Sequence, residues 1–299
     1  MKRKWFFSSI LAALAVLLAV ITGGCSISGP ASKSEPAEGK LIVKVFDVGQ
    51  GDATLVRFGG QMTLIDTGDT ESREKLVTYL KKEGVSVIDR LIVTHPHNDH
   101  IGGAAAIFEN FTVKQIYDSG QLTTTNTYRK YLETVQKKKI PFAVLKAGNE
   151  VDMGSGAVLK VFAPEEPFFT EDNGRSDLNN NAIVAKLSYG SFAMLFASDA
   201  EKDSEARMVK KYGDQLKSAV IKVGHHGSTT SSSASFLKAV APEAAVITVG
   251  AGNDYGHPHE AVLKRYQERK IKMYRSDNHG TITISSDGTT WSVVTEKGR

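Results

Sequence analysis

The sequence predicts an α/β layered sandwich, and two facing sheets with helices outside would accommodate its many strands. Two patterns lead to the α/β class. Short runs rich in Val, Ile and Phe recur with strand length, and the first of them follow one another as hairpins. Further along, similar runs alternate with stretches of helical pattern, as in layered α/β domains.

In chain order, strands are expected at 41–46, 53–58 and 62–65, then a helix over 72–83. A strand at 88–93 precedes a helix at 103–109, a strand at 113–117 and a helix at 127–138. Strands at 158–162, 182–188 and 191–196 lead to a helix at 201–211. A strand at 219–223, a helix at 234–240 and a strand at 244–249 follow. A helix at 259–270 and strands at 272–274, 281–284 and 291–294 close the chain. No second linker and no tandem repeat interrupt this order, so one folded domain is expected over residues 41–299.

The N-terminus is different. Lys2, Arg3 and Lys4 precede an uncharged, largely apolar run from Trp5 to Ile21, and Thr22-Gly23-Gly24-Cys25 follows. Residues 1–24 read as a secretory signal ending in small residues. Cys25 is the only cysteine of the chain. It resembles the acceptor cysteine of a bacterial lipoprotein, with Thr22 where such proteins usually carry Leu. That resemblance implies an exported protein, lipid-anchored at Cys25 on the outer face of the cell membrane. An uncleaved apolar anchor is the alternative, although the run falls just short of the ~20 residues that span a bilayer. Residues 25–40, rich in Ser, Pro, Gly, Ala and charge, are expected to be a flexible tether.

The remaining composition is that of an ordinary globular domain, 41% hydrophobic and 23% charged. Without further cysteine the chain has no intramolecular disulfide and no thiolate ligand. The net charge of +4 includes the three bases of the leader, so the rest carries about +1 by subtraction. Charge therefore gives no reason to expect a nucleic-acid partner.

The chemistry is concentrated in one run. Leu91-Ile-Val-Thr94 is a short apolar strand that leads directly into His95-Pro-His97-Asn-Asp99-His100-Ile-Gly-Gly103. Three histidines and an aspartate within six residues are costly to bury unless a cation compensates them. Imidazole nitrogens and a carboxylate suit Zn, Mn or Fe. In an extended loop His95 and His97 point to one side and can share an ion, while Asp99 and His100 reach a second one. Gly102 and Gly103 are expected to allow a tight turn into the next helix.

This run resembles the His-x-His-x-Asp-His motif of the metallo-β-lactamase superfamily, and the resemblance extends over most of residues 41–294. It implies a four-layer αββα metallo-β-lactamase sandwich holding one or two divalent metal ions, Zn or Mn. The family adds a bridging aspartate at the end of a later strand, a role that Asp199 fits after Phe192-Ala-Met-Leu-Phe-Ala-Ser. Ile65-Asp66-Thr67-Gly68 resembles the family's early aspartate motif, which braces the ligand loop from behind. Four segments bring the chain nearer to the β-lactamase-like domain of the ComEC competence proteins and its stand-alone relatives. These are residues 46–53, Leu178-Asn179-Asn180-Asn181, Lys222-Val-Gly-His225-His226-Gly-Ser228 and Asn253-Asp-Tyr255-Gly-His257-Pro258. No multi-span segment like the channel of those proteins is present, so this chain is not expected to conduct DNA itself.

The sequence departs from the broad superfamily in one respect. No histidine lies between residues 101 and 198. The first ion would then have His95, His97 and Asp199, with an Asn179–181 carbonyl, a water, His225 or His226 completing it. An oxygen-rich shell of that kind would favour Mn over Zn. The second ion would have Asp99, His100 and Asp199, with His257 as the preferred fourth ligand. On an extended segment His225 and His226 would face opposite ways, with His225 turned to the site. His259 and His279 read as surface or capping residues.

The resemblance implies hydrolysis by an activated water, with Asp99 orienting or deprotonating it and His225 or His226 contacting the substrate. A surface phosphodiesterase or nuclease acting on nucleic acid is the leading expectation. A phosphodiesterase of wall phosphopolymer, teichoic acid or its phosphorylcholine, is the alternative. A non-catalytic DNA-binding surface lipoprotein stands apart from both, and the intact ligand motif argues against it. The basic helix around Arg129 and Lys137–Lys139 reads as a solvated face. The loop at 165–175, with Phe168 and Phe169, reads as a possible wall of the site.

Overall fold

Strand alternation decides which layer each side chain enters. In the computed structural model, which describes residues 39–298, Leu91 and Val93 pack outward against helices while Ile92 packs inward against the opposite sheet. Leu55 and Val56 divide in the same way, as do Leu64 and Ile65. Strands buried on both faces need this unbroken apolar composition.

Among the described residues the strands form two large sheets and a short ladder. The first sheet runs Trp291–Thr295, Ile282–Ser286, Leu41–Val45, Thr54–Phe58, Gln61–Ile65, Arg90–Val93, Ile116–Asp118, Phe142–Val144. The second runs Lys272–Arg275, Ala244–Ile247, Val220–Lys222, Phe192–Phe196, Val184–Tyr189, Ala157–Ala163, Glu150–Gly154. Leu41, Val43, Leu159, Met194 and Val220 fill the space between the sheets. Helices Arg73–Lys82, Ala104–Asn110 and Asn126–Lys138 cover the first sheet through Leu76, Leu80, Ile107 and Tyr131. Helices Lys202–Tyr212, Ala234–Val240 and Glu260–Glu268 cover the second through Met208, Leu237 and Tyr266. The four-layer αββα sandwich is therefore present as expected.

Three details differ from expectation. Strands Phe142–Val144 and Glu150–Gly154 are edge strands that were not expected; the first lies in the short apolar run Ile140-Pro-Phe-Ala-Val-Leu145, yet its Phe142 and Val144 stay exposed. The strand expected at 88–93 breaks at Asp89, whose carboxylate accepts from Met62 N at 2.8 Å and pairs with Lys114. Val87–Ile88 pairs separately with Thr112–Val113, which also divides the strand expected at 113–117. Residues 1–24, Cys25 and most of the tether expected over 25–40 lie outside the described residues. Among the described residues no helix is long and apolar enough to cross a membrane.

Topology fixes where function can reside. Gln61–Ile65, Arg90–Val93 and Ile116–Asp118 run parallel, as do Phe192–Phe196, Val220–Lys222 and Ala244–Ile247. Loops leaving the carboxyl ends of parallel strands gather at one rim, where open α/β sheets bind ligands. Asp66, His95, Asp199, His225 and His257 all follow such ends.

The glycines after the histidine run act by size rather than by turn geometry. Gly102 and Gly103 have ordinary helical angles (φ −59° and −82°). A Cβ on Gly103 would lie 2.2 Å from Thr67 O, and one on Gly102 2.2 Å from Thr70 N. The helix start presses against the loop after Asp66, and only glycine leaves room. Gly103→Ala should lower stability by roughly 1–3 kcal/mol through overpacking. Urea unfolding measures it, and an unchanged midpoint would show that the close approach does not matter.

Candidate metal centre

The ligand loop is held from behind by Asp66. Its Oδ1 accepts from Thr94 N at 2.8 Å, and its Oδ2 from the Thr94 hydroxyl at 2.7 Å. The same Oδ2 lies 2.8 Å from His100 Nδ1. Asp66 thus fixes the imidazole and leaves His100 Nε2 facing the rim, the role expected of it. Burial raises the Asp66 carboxyl above its usual range against the pull of His100.

His100, Asp99, Asp199 and His226 offer ligand atoms that lie within 4.8 Å of one another. His100 Nε2 is 3.4 Å from Asp199 Oδ2 and 3.7 Å from Asp99 Oδ2. His226 Nε2 is 3.1 Å from Asp99 Oδ2 and 3.7 Å from Asp199 Oδ2. Tetrahedral ligands about 2 Å from one ion stand roughly 3.3 Å apart, so these four fit a divalent cation. A second set adjoins it. His95 Nε2 lies 3.0 Å from His97 Nδ1 and 3.8 Å from Asp199 Oδ2, and His225 Nε2 is 4.0 Å from that same oxygen. Asp199 is common to both sets, the position of a bridging carboxylate.

Unmet polarity supports the same fit. His100 Nε2 and Asp199 Oδ1 are buried without a hydrogen-bond partner. A buried polar atom left unpaired is costly, and a cation between the two would satisfy both. Burial, with neighbouring His100, holds His95 well below the usual imidazole range, so it is neutral as a ligand must be. Burial also lowers His97. Burial opposes charge on His100 too, but Asp199, Asp66 and Asp99 outweigh it and raise that imidazole well above its usual range. Asp199 is driven well below the carboxylate range by His100 and His226, against its burial. The pocket has an excess of buried carboxylate and draws in positive charge.

The two adjacent histidines depart from expectation. Neither lies on an extended segment: His225 (φ 45°, ψ 49°) and His226 (φ 52°, ψ 20°) are both left-handed. Both rings turn to the rim, so the supposed choice between them does not arise. His225 Nδ1 is 2.9 Å from Glu201 Oε1, while the buried His226 has Nδ1 at 2.9 Å from Thr248 O. In each case the outer contact orients the ring and leaves Nε2 for the centre. His226 stands in the four-atom set where His257 was expected. His257 is one ring further out, its centroid 6.3 Å from that of His226 and 5.7 Å from that of His225. Its Nδ1 is buried and unpaired, and burial with its histidine neighbours pushes it down to about 4.

The gap in the first set is therefore faced by the imidazole of His225 rather than by an oxygen. Asn180 and Asn181 use their amides on Asp177, Ser204, Phe169 and Ser176. Of the three asparagines only Asn179 keeps a buried free carbonyl oxygen. His259 accepts from Thr229 N and His279 from Arg275 N, which keeps both in structural roles.

The sequence did not single out the supporting residues. Glu201 was read only as the start of a helix. Asp52 accepts from the Thr248 hydroxyl and pairs with Lys222 Nζ at 2.6 Å, both partners buried. The Ser198 hydroxyl bridges to that of Thr94 at 2.7 Å, tying the two sheets together. The one visible signal was a lysine within the apolar run Val220-Ile-Lys222-Val, since buried lysines are rare unless paired. Four non-glycine residues at the rim, Asp66, Ser198, His225 and His226, have positive φ. Such backbone costs about 1–3 kcal/mol per residue and persists where surrounding contacts over-determine it.

A four-layer sandwich with this ligand set at the ends of its parallel strands defines a class, the metal-dependent hydrolases. The chain belongs to the metallo-beta-lactamase superfamily, whose family model matches residues 46–250. It is 30% identical over 258 residues to ComE operon protein 3 of Bacillus subtilis (strain 168), covering 80% of this chain and 32% of that protein. It is 32% identical over 246 residues to Competence protein ComA of Neisseria gonorrhoeae, covering 82% and 32%. The chain thus spans about a third of the length of these relatives. Among solved structures, the metallo-beta-lactamase fold protein YhfI from Bacillus subtilis superposes with a TM-score of 0.51 at 12% identity, covering 79% of this chain and 95% of that one.

Two outcomes follow from the supporting contacts. Asp66→Asn should weaken Zn binding by roughly 10- to 100-fold in a chelator competition while the fold is kept; unaltered affinity would remove Asp66 from its bracing role. Lys222→Met leaves the Asp52 carboxylate buried alone and should cost about 3–5 kcal/mol in urea unfolding. Adding Asp52→Asn should restore part of that loss, and no restoration would show that the pair is not the cause.

Proposed function

We propose that the protein is a metal-dependent phosphodiesterase that cleaves nucleic acid at the outer face of the cell membrane. The observation that carries the reading is the pair of ligand sets sharing Asp199. Residues arranged in this way would hold two ions that share Asp199, the ligand arrangement suited to phosphoryl transfer. When bound, such ions supply Lewis acidity toward phosphoryl oxygens and acidify a water. Similarity to proteins named for competence supports a nucleic-acid substrate.

The chain's own groups divide the work. His95, His97 and His225 with Asp199 form one ligand set, and Asp99, His100 and His226 with Asp199 form the other. His257 is retained as a contact to the substrate or an outer ligand. Asp99 is the solvent-facing carboxylate, its side chain 28% exposed. His100 and His226 hold it well below the usual range against its burial. It therefore acts as an anionic acceptor that orients the attacking water rather than as a store for its proton. His225, its Nδ1 held by Glu201, keeps its one remaining ring nitrogen for the first ligand set, so a phosphoryl contact falls to His257. Export and anchoring through a lipid on Cys25 complete the reading.

The direct test incubates the full-length protein in detergent, loaded with Mn or Zn, with single-stranded DNA, duplex DNA and bis-p-nitrophenyl phosphate. DNA cleavage that stops with chelator is expected, and Asp99→Ala or Asp199→Ala should reduce it to background with the fold intact. Hydrolysis of the small diester without DNA would move the substrate to a wall phosphopolymer. Full turnover by either variant would overturn the mechanism. For the anchor, Cys25→Ser should move the protein from the membrane to the soluble fraction, and unchanged fractionation would favour an uncleaved apolar anchor.

A further inference from the structure

Beside the metal centre stands an exposed aromatic ring that the hydrolytic chemistry does not use. Tyr255 is 67% exposed, yet it is not a free surface side chain. Its ring lies nearly parallel to that of His257, with centroids 5.6 Å apart and planes 22° apart. The His257 ring in turn lies 26° from the plane of His226. Three rings thus step outward from the buried ligand set: His226, His257, Tyr255. His257 lies against one side of Tyr255, and two thirds of the residue stays open to solvent.

The loop beneath it is locked. The side-chain amide of Asn253 makes four hydrogen bonds. Its Oδ1 accepts from Tyr255 N at 3.1 Å and His257 N at 3.0 Å. Its Nδ2 donates to Gly250 O at 3.0 Å and His257 O at 2.7 Å. Gly256, at φ +68°, makes the turn between the two aromatic residues. An exposed aromatic held in place costs little further entropy when a ligand covers it.

Resting on the nucleic-acid reading above, we propose that Tyr255 is a stacking platform for a nucleobase of the strand held at the metal centre. A planar base continues the stack by one step, beyond His257 and Tyr255, and so belongs further along the strand than the phosphate held at the centre. Aromatic platforms of this kind bind single strands without reading sequence, because every base has a π-face. A quaternary ammonium headgroup such as choline fits less well. It is held by aromatic cages that face it from several sides, whereas Tyr255 offers one open face backed by a parallel ring.

The test compares the full-length protein with Tyr255→Ala, Tyr255→Phe and Tyr255→Trp on an oligodeoxynucleotide and on an abasic sugar-phosphate oligomer of the same length. Tyr255→Ala should raise KM on the oligodeoxynucleotide roughly 5- to 150-fold, the range measured for loss of one base–aromatic stack. Its kcat should be little changed, the Phe and Trp variants should retain affinity, and all four proteins should treat the abasic oligomer alike. With chelator present, 2-aminopurine fluorescence in a labelled oligonucleotide should be quenched by the wild type and not by Tyr255→Ala. An unchanged KM in Tyr255→Ala, with DNA cleaved by both proteins, would overturn the platform and leave the nuclease reading standing. Equal losses on the abasic oligomer would overturn it too, reducing Tyr255 to a cover for His257. Quenching that depends on Tyr255, in a wild type that cleaves no DNA, would support the platform and remove the nuclease reading. Loss of phosphorylcholine binding without loss of oligonucleotide binding would overturn the platform in favour of a cation site.

Discussion

The carboxylate of Asp199 is buried where the two sheets open, with imidazoles from two separate loops around it. Its Oδ2 lies within 4.0 Å of a ring nitrogen on each of His95, His100, His225 and His226. No arrangement of water satisfies so much enclosed polarity as compactly as a divalent cation does. Much of the surrounding structure keeps this contact in register. Asp66 holds His100, Thr248 holds His226, Glu201 holds His225, and the hydroxyls of Ser198 and Thr94 join the sheets beneath. Positive-φ backbone at Asp66, Ser198, His225 and His226 shows where the chain bends from preferred geometry to aim these groups.

The double layer of sheets is what makes such a centre rigid. Core side chains from both sheets interlock in the middle, and helices seal the outer faces. The parallel strands of each sheet end at the same rim, so their loops meet without long excursions. Behind the ligands, the buried Lys222–Asp52 pair supports Thr248 and through it His226. Buried ion pairs add little net stability. Here the pair's value is orientation, since it fixes an imidazole that faces the centre. Toward solvent the rim changes character, from enclosed ligands to the partly exposed Asp99 and then to the open ring of Tyr255.

Much of the fold was legible in the sequence because core strands of a two-sided sandwich are apolar on both faces and announce themselves. The missed strands, Phe142–Val144 and Glu150–Gly154, are edges whose side chains alternate with solvent or stay exposed. The strand breaks at Asp89 and after Val113 depend on pairing partners that are distant along the chain. At the site, the dense run from His95 to His100 was legible because its composition has no other inexpensive explanation. Asp199 was legible from an apolar strand that ends in an acid.

By itself the sequence determined the four layers, the ligand loop, the bridging acid and the brace at Asp66, because each is a local pattern or a recognisable motif. Only the tertiary structure decided that both His225 and His226 face the centre, since backbone angles at a turn do not follow from alternation. It also decided that His226 rather than His257 joins the four-atom set, that imidazole replaces oxygen beside His95 and His97, and that Gly103 is required for closeness to Thr67 rather than for turning. Glu201, Asp52, Lys222 and Tyr255 take their places for the same reason. Their partners are brought to them by folding, and nothing in their immediate sequence names those partners.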